Sequence, residues 1–533
     1  MKVDKLHIRS RYKNLENVKV DFDEDHLMTV VVGRNGSGKS NVLEALVTIF
    51  RNLDLGEAPP FSYEIIYRLG ERHKPSQPSE RWIEITIDAD PDRGTLAKQY
   101  EVSVRDLLSE DISKDMFDKL PSGITIPFSK VKRDKSGKAP YLPNYVFAYY
   151  SGPSDRLENH FKKHRTDFYR RLLEDKLDLK GDIRPLFYAK PHHSQFVLLA
   201  FFLSEQDSAE KAFLREHLGI EGLDSIHFVM RQPGWAKQKG ELFWGARGVV
   251  RRFLDELIQH ALSPIKVTRQ EDISLTGNNI RNEFFHLFLP DVKALREFAK
   301  VLSADELFKM LESTLLSEII SEVSIRVKVS SSKEPLTFRE LSEGEQQLLT
   351  VLGLLKFTGG KDSLFLLDEP DTHLNPSWAV KYLKFLREFV PNHDTSHLLM
   401  VTHHPLAIAE LKKEQVQVMK RDDEKQISAK MPDENPRGMG INLILRSDMF
   451  GLQTTLDDDT NQRLTNRNAL AAKETLSKER IVREQGFQPE DEEQYLGRLN
   501  AELEHLGFNL ATDDPDYLEF LRNKYHAKHE ERH

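Results

Sequence analysis

The sequence contains no cysteine at all. Disulfide bonds, thiolate zinc sites and cysteine nucleophiles are therefore excluded, which fits a reducing cytoplasm. Long apolar runs are also missing, since the longest, such as residues 196–203, fall far short of the roughly 18 residues that a membrane-spanning helix needs. Residues 1–5 lack the apolar core of a secretion signal. The sequence therefore predicts a soluble, cytoplasmic protein with no membrane partner.

An excess of positive charge is absent too, because 76 basic residues face 85 acidic ones and the formal net charge is −9. This balance argues against a surface coated in positive charge, although a local basic groove remains compatible with it. The basic loop at residues 129–138 could contact phosphates of a nucleic acid, but a solvated hairpin tip is the favoured interpretation. A length of 533 residues predicts about two to four domains.

One glycine-rich motif follows the apolar run at residues 27–32. It fits the phosphate-binding pattern G-x-x-x-x-G-K-[ST] in a strand, loop and helix context. Glycines let successive backbone N–H groups point at phosphate oxygens, and the following helix presents its positive end. Lys39 is expected to reach the β- and γ-phosphates, and the Ser40 hydroxyl to bind Mg²⁺. The predicted ATP-binding residues here are Gly33, Arg34, Asn35, Gly36, Ser37, Gly38, Lys39, Ser40 and Asn41.

A second apolar run, residues 364–367, ends in Asp368 and Glu369. An unbroken apolar strand suits a parallel sheet buried on both faces, and ligands of such sheets bind at the carboxyl ends of the strands. Asp368 is expected to hold Mg²⁺ through its water shell, and Glu369 to polarise the attacking water. A solvated acidic turn is the alternative interpretation.

Two further strand and helix ends carry candidate residues. The strand at residues 398–402 leads to His403, which could hydrogen-bond a γ-phosphate or be an ordinary surface histidine. Ser342 and Glu345 form the pattern of a capping box before an apolar helix. Because Gly344 lies beside that helix N-terminus, the same geometry offers an anion site for a phosphate held by another subunit.

Taken in order, the segments GRNGSGKS, LSEGEQQ, LFLLDEP and VTHHP resemble the ABC-type ATPase head shared by RecF, the SMC proteins and the overcoming-lysogenization-defect proteins. The resemblance implies an α/β fold with a mixed or parallel sheet, ATP and Mg²⁺ as cofactors, and a homodimer of heads that sandwich nucleotide. It makes Ser342 and Gly344 contacts to the partner's ATP, residues 372–375 the D-loop, and His403 the switch histidine. The family's Q-loop glutamine has no assigned position in this sequence.

Segments outside the head at residues 149–153, 438–452 and 506–517 are similar to the PtuA family of ATPases from Septu anti-phage systems. This resemblance implies an HNH nuclease partner of the PtuB type, docked in part through the C-terminal helical region, whose cleavage the ATPase restrains or licenses. Related proteins accompany some retrons, so a reverse transcriptase and its RNA–DNA product are further implied partners.

Two alternatives stay open at this point. One is a RecF-like DNA-repair ATPase that binds DNA across its dimer. The other is a self-contained toxin whose C-terminal region cleaves nucleic acid, although the acidic run at residues 457–459 is a poor nuclease motif and favours a solvated turn. The histidines at 526, 529 and 533 are interpreted as tail residues.

The sequence also predicts the order of domains. The predicted parts are an N-terminal ATPase lobe at residues 1–150, a mostly helical insertion at 151–330, a C-terminal ATPase lobe at 331–437 and a helical partner-docking region at 438–533.

Overall fold

The computed structural model describes most of the chain, and all statements below concern these residues. They are residues 1–72, 79–108, 123–134, 137–173, 184–236, 241–272, 279–471 and 492–508. The chain divides into two units, the first comprising Met1–Ile444 with Asp448–Phe450, and the second Leu445–Ser447 with the chain from Gly451 onwards. Within these ranges, no helix is both long and apolar enough to cross a membrane.

Eighteen strands are found in the described part of the chain. They are β1 (Lys2–Ile8), β2 (Val18–Asp21), β3 (Met28–Gly33), β4 (Tyr63–Gly70), β5 (Trp82–Ala89), β6 (Tyr100–Asp106), β7 (Ile124–Ile126), β8 (Tyr145–Tyr150), β9 (Leu186–Tyr188), β10 (Ile220–Arg231), β11 (Leu262–Asp272), β12 (Asn279–Leu289), β13 (Ile320–Val329), β14 (Leu336–Thr337), β15 (Ser363–Asp368), β16 (Ser396–Val401), β17 (Val416–Arg421) and β18 (Ile427–Lys430).

The α-helices of the same ranges are numbered in chain order. They are α1 (Lys39–Leu55), α2 (Leu96–Gln99), α3 (Arg156–Leu173), α4 (His193–Leu203), α5 (Ala209–Glu216), α6 (Gly248–His260), α7 (Val292–Phe298), α8 (Ala304–Leu316), α9 (Glu343–Thr358), α10 (Pro376–Phe389), α11 (Ile441–Arg446), α12 (Asp458–Ala471) and α13 (Glu492–His505).

A seven-stranded sheet organises the head, in the order β18-β17-β3-β16-β15-β8-β9. Every neighbouring pair is parallel except the antiparallel pair of β17 and β18. All residues of β3, β15 and β16 are buried, as expected of strands covered on both faces. The predicted α/β fold with a mixed, largely parallel sheet is therefore confirmed, and the carboxyl ends of its parallel strands meet at one edge.

A second sheet has six strands in the order β2-β1-β4-β5-β6-β7 and is antiparallel throughout. Its core-facing residues pack with α1 in one apolar cluster that includes Val3, Leu46 and Ile65. The helix that begins at the phosphate-binding motif is thereby fixed between this sheet and the head sheet.

Residues 151–330 contain the predicted helices but also a sheet that the sequence analysis did not predict. Its order is β11-β12-β10-β13-β14, and all its pairs are antiparallel. In addition, β9 lies within the predicted insertion yet pairs with β8 in the head sheet. The boundaries at 150 and 330 stay a prediction.

Three helices follow the head. In the second unit, α12 and α13 contact each other through the buried side chains of Leu470, Tyr495 and Leu499. The Asn466 amide also donates a hydrogen bond of 3.2 Å to the Tyr495 hydroxyl. The predicted helical character of the C-terminal region is thus observed for α11 to α13. Residues 514–517 and the histidines at 526, 529 and 533 lie outside the described residues.

Candidate nucleotide site

The candidate residues converge at the carboxyl edge of the head sheet. The phosphate-binding motif begins where β3 ends, Asp368 is the last residue of β15, and His403 follows β16. Register pairs place Asp368 opposite Val401 on β16 and opposite Tyr150 on β8. The parallel topology therefore gathers motifs that lie more than 300 positions apart in the sequence.

Two glycines give the phosphate loop its shape. Gly33 has a φ of 144°, and a Cβ at this position would overlap the carbonyl oxygen of Met419 on β17. Gly38 has a φ of 90°, and its Cβ would come within 2.6 Å of the Leu15 side chain. Since L-residues rarely adopt these backbone conformations, both positions require glycine. Of the other predicted loop residues, Arg34, Asn35 and Gly36 are exposed and Ser37 is buried.

The Lys39 side chain points back into the phosphate loop that precedes it. Its Nζ donates hydrogen bonds to the carbonyl oxygens of Gly33, at 2.8 Å, and Arg34, at 3.2 Å. Burial lowers the pKa of Lys39, while the nearby carboxylates of Glu369 and Asp368 oppose this shift. The ammonium group therefore lies inside the loop, bound to two of its carbonyl oxygens, and its contact with phosphates stays a prediction.

Ser40 and Asp368 are in direct contact. The Ser40 Oγ donates a 2.9 Å hydrogen bond to Asp368 Oδ1, and Arg156 Nη2 lies 3.3 Å from Asp368 Oδ2. Burial raises the pKa of Asp368 to about 6, against the opposing effects of Ser40 and Arg156. A hydroxyl and a carboxylate oxygen are ligands that Mg²⁺ prefers, so the donor set fits the predicted cation.

Glu369 adopts a positive φ of 52° directly after β15. Its Oε1 lies 3.2 Å from His403 Nδ1, and both side chains are accessible to solvent. Its backbone oxygen accepts hydrogen bonds from Thr372 Oγ1, at 2.8 Å, and from Gln347 Nε2, at 3.4 Å. A non-glycine residue with this φ carries local backbone strain, which is often found at functional sites. The structure therefore brings the two predicted catalytic side chains together.

The other candidate segment lies at the N-terminus of α9. Ser342 is the N-cap, and its hydroxyl accepts a hydrogen bond from the Glu345 N–H as predicted. A Cβ at Gly344 would approach the carbonyl oxygen of His373 to 2.5 Å, so the helix start packs against the segment after Glu369. Among the described residues, no hydrogen bond or ion pair joins Ser342 or Gly344 to the phosphate loop.

Several residues near the site were missed by the sequence analysis. Arg156 contacts Asp368, and it begins α3 just after β8, whose place beside β15 is visible only in the fold. Asn41 acts through Asn14, because its Nδ2 donates to Asn14 Oδ1 at 2.6 Å while Asn14 Nδ2 donates to the Gly36 oxygen at 3.1 Å. The loop is thus supported by the connection between β1 and β2.

Glu44 is a further residue that was not predicted. It is buried on α1, contacts Lys13, and accepts a 3.0 Å hydrogen bond from His160 on α3. Burial alone would raise the pKa of Glu44, but hydrogen bonds from His160 and Lys13 lower it to about 2. This ion pair network connects the helix after the phosphate loop to α3, which also carries Arg156.

The fold and the site define a phosphate-loop ATPase with an α/β head. Residues 28–409 match the protein family described as "AAA domain, putative AbiEii toxin, Type IV TA system". Because this match covers more than half of the chain, the protein belongs to that family.

Individual relatives are more distant. A stretch of 208 residues, 36% of this chain, is 26% identical to the Septu protein PtuA of Bacillus mycoides (strain KBAB4), so the resemblance to PtuA is confirmed at that level. The match spans only 28% of that relative's length. Two SMC head domains are similar over 81% of this chain, each with a TM-score of 0.31. The one from Thermotoga maritima is 11% identical and covered to 99%, and the one from Pyrococcus furiosus is 14% identical and covered to 96%.

Proposed function

We propose that this chain is the ATP-binding and ATP-hydrolysing subunit of a Septu-type anti-phage defence complex, in which it controls a partner HNH nuclease. The observation that carries the ATPase part is the convergence of Lys39, Ser40, Asp368, Glu369 and His403 at one sheet edge. The partial similarity to a Septu PtuA protein supports the defence role.

Each site residue has a distinct chemical task in this proposal. Lys39 and the loop N–H groups bind the β- and γ-phosphates, and Ser40 with Asp368 would hold Mg²⁺, which when bound neutralises phosphate charge. Glu369 polarises the attacking water. His403, whose Nδ1 lies 3.2 Å from Glu369 Oε1, would hydrogen-bond the γ-phosphate and respond to its loss. The remaining loop residues from Gly33 to Asn41 shape and orient the phosphate cradle.

Hydrolysis in this proposal is slow and depends on a homodimer. In the described residues no hydrogen bond or ion pair joins Ser342 or Gly344 to the phosphate loop of their own chain, and an exposed helix N-terminus such as that of α9 can bind an anion. Each site would therefore be completed by Ser342 and Gly344 of a second copy. ATP would then hold the two heads together, and hydrolysis would release them.

The output of the cycle is the activity of a PtuB-like HNH nuclease, docked in part on residues 438–533. A retron-associated version would add a reverse transcriptase and its RNA–DNA product to the complex. Higher oligomers and bound DNA are compatible with the same dimer. The proposed location is the cytoplasm.

The test is purification of the tagged chain from its native operon, in ATP and Mg²⁺, followed by mass spectrometry of the associated proteins. The Glu369→Gln variant should retain the partners best, since it keeps nucleotide bound, and Lys39→Ala serves as the matched variant that does not bind nucleotide. A co-purifying HNH nuclease supports the defence role, and a reverse transcriptase beside it the retron version. Recovery of the chain with DNA alone would favour the RecF-like repair ATPase, and DNA cleavage by the chain itself would favour the toxin.

A further inference from the structure

The five-stranded antiparallel sheet has one face that is partly exposed to solvent. Its other face packs on α5 to α8, where core residues such as Phe228, Leu287 and Ile325 are buried. Because side chains alternate along each strand, residues one position away from these point to the opposite side. We call that side the outer face. Cross-strand register shows which of its residues lie next to each other.

Apolar and aromatic side chains run across the middle of the outer face. Register aligns Leu262 on β11 with Phe288 on β12 and His227 on β10. The next row aligns Ile265 with His286. Leu262, Ile265 and Phe288 are 60%, 55% and 37% exposed, which is high for large apolar residues. The imidazole rings of His227 and His286 are hydrogen-bonded, with 3.0 Å between His227 Nε2 and His286 Nδ1, and their centroids lie 5.1 Å apart at an interplanar angle of 22°. The centre of this face is therefore an exposed patch of rings and aliphatic groups.

Cations lie on both sides of this patch. At one end, Arg231 on β10 aligns with Phe284, and the Arg269 guanidinium lies over the Phe284 ring at 5.7 Å. At the other end, the exposed Arg326 and Lys328 on β13 align with Ser225 and Gly222. Along β10, Ser225 is six positions from Arg231, which corresponds to about 20 Å.

Negative charge on the outer face is limited. Glu322 on β13 lies there, but Arg339 neutralises it through an ion pair of 2.9 Å. Asp224 stands at a bulge in β10, where its carboxylate accepts a hydrogen bond from the Ser225 hydroxyl. Glu221 is a further exposed acid at the neighbouring bulge of β10. Among the side chains that the structure describes, Glu221, Asp224 and Glu322 are outnumbered by Arg231, Arg269, Arg326, Lys328 and Arg339, in a chain whose formal net charge is −9.

We propose that the outer face binds a single-stranded nucleic acid. Rings such as Phe288, His227 and His286 offer stacking surfaces for unpaired bases, and the flanking cations match the spacing and sign of a sugar-phosphate backbone. A duplex hides the faces of its bases, so the central patch selects single strands. The inference deepens the proposed function by naming a partner, and its biological meaning rests on that function.

An added β-strand from another protein fits this region less well. The edge strand β11 contains Pro264, and Ser263 next to it has a φ of 49° at a register irregularity. Proline, bulges and charged side chains such as Lys266 are features that block strand addition at a sheet edge. The free surface of this sheet is therefore its face and not its edge.

The test is fluorescence anisotropy with the full chain and labelled 20-residue DNA and RNA oligonucleotides, without ATP, at several salt concentrations. We expect single strands to bind at least tenfold more tightly than the matched duplex. The Arg326→Ala/Lys328→Ala variant should weaken binding and reduce the slope of log affinity against log salt by about 1.4, that is, about 0.7 for each lost phosphate contact. Phe288→Ala should lower affinity about fivefold or more through lost stacking.

Two controls separate this site from general charge effects. Lys381→Ala/Lys384→Ala removes two exposed cations from α10 and should change neither affinity nor slope. ATP hydrolysis is measured on the same preparations, so a failed ATPase and a failed nucleic-acid site give different results. No binding at 50 mM salt, tighter binding of duplex, or equal losses in the α10 variant would each overturn the inference. A comparison of the DNA and RNA arms identifies the type of single strand.

Discussion

The parallel head sheet and the antiparallel sheet of the insertion use their strands in opposite ways. In the head, helices and the neighbouring sheet bury both faces of β3, β15 and β16, so polar chemistry can only appear where these strands end. In the insertion, one face of β10 to β13 is partly exposed, so polar and aromatic side chains along the strands reach solvent. The candidate nucleotide site of the head therefore lies at a sheet edge, and the proposed nucleic-acid site of the insertion lies on a sheet face.

The largest effect is expected from replacing Glu369, the proposed general base at the sheet edge. Glu369→Gln should lower ATP turnover about 100-fold or more, because an amide cannot accept a proton from the attacking water. ATP binding should persist and a nucleotide-bound dimer should accumulate, which phosphate release and size-exclusion chromatography would measure. Glu101→Gln changes an exposed carboxylate on the antiparallel strand β6 and is the matched control. Wild-type turnover in Glu369→Gln would show that the assignment is wrong.

Removal of the loop cation is the next largest change. Lys39→Ala should weaken ATP binding on the order of 100-fold, since charge-assisted hydrogen bonds to phosphate are worth about 1.5 to 3 kcal/mol each. Isothermal titration calorimetry would measure this loss. Lys5→Ala, on the antiparallel strand β1, removes an exposed lysine and should leave the affinity unchanged. Equal affinities for both variants would contradict the role of Lys39.

A third prediction concerns the site that a second copy would complete. Ser342→Arg should reduce turnover at least about tenfold while ATP affinity of the isolated subunit stays near wild type, because the bulky cation would block the interface. Loss of the helix cap should also cost about 1 kcal/mol of stability. Ser303→Arg is a close control, since Ser303 caps α8 with the same type of capping box. If Ser342→Arg abolished ATP binding, the role across the interface would be refuted.

The smallest expected effect is a pH dependence of the cation site. Mg²⁺ binding needs an ionised Asp368, and burial raises the pKa of this group to about 6. Protonation below that value should therefore weaken the gain in ATP affinity that Mg²⁺ provides, by about fourfold at pH 5.5. Arg156→Ala removes a cation that favours the carboxylate, so the midpoint should move to higher pH. The terminal phosphate of ATP also titrates between pH 5 and 8, so the titrations with and without Mg²⁺ are repeated on Asp368→Asn. An unchanged pH profile in that variant would contradict the role of Asp368.

The sequence predicted those parts of the head that are encoded locally. The glycine loop, the apolar strand ending in Asp368, and the capping box of Ser342 each depend on a few consecutive residues, and each was found as expected. Ser40 and Asp368 were each predicted at the Mg²⁺ site, and the structure shows a direct hydrogen bond between them that was not predicted. The roles of these residues in binding and catalysis stay a prediction.

Features that depend on distant pairing were not predictable in the same way. Arg156 and Glu44 are separated from their partners by long stretches of chain, and no local pattern indicates their contacts. The antiparallel sheet was missed because it alternates with helices, yet β13 shows a usable signal. There Val323, Ile325, Val327 and Val329 alternate with exposed residues at the period of a strand.

The contacts of Gln347 connect the two nucleotide sites of the proposed dimer. One turn into α9 from Ser342, its amide bonds to the Glu369 backbone oxygen and accepts from the His373 N–H at 3.2 Å. The N-terminus of α9, which would contact the partner's nucleotide, is therefore hydrogen-bonded to the segment that contains the subunit's own Glu369. If two copies complete each other's sites as proposed, a displacement of Glu369 in one subunit would reach the surface that it lends to the other, and the two sites would be energetically coupled.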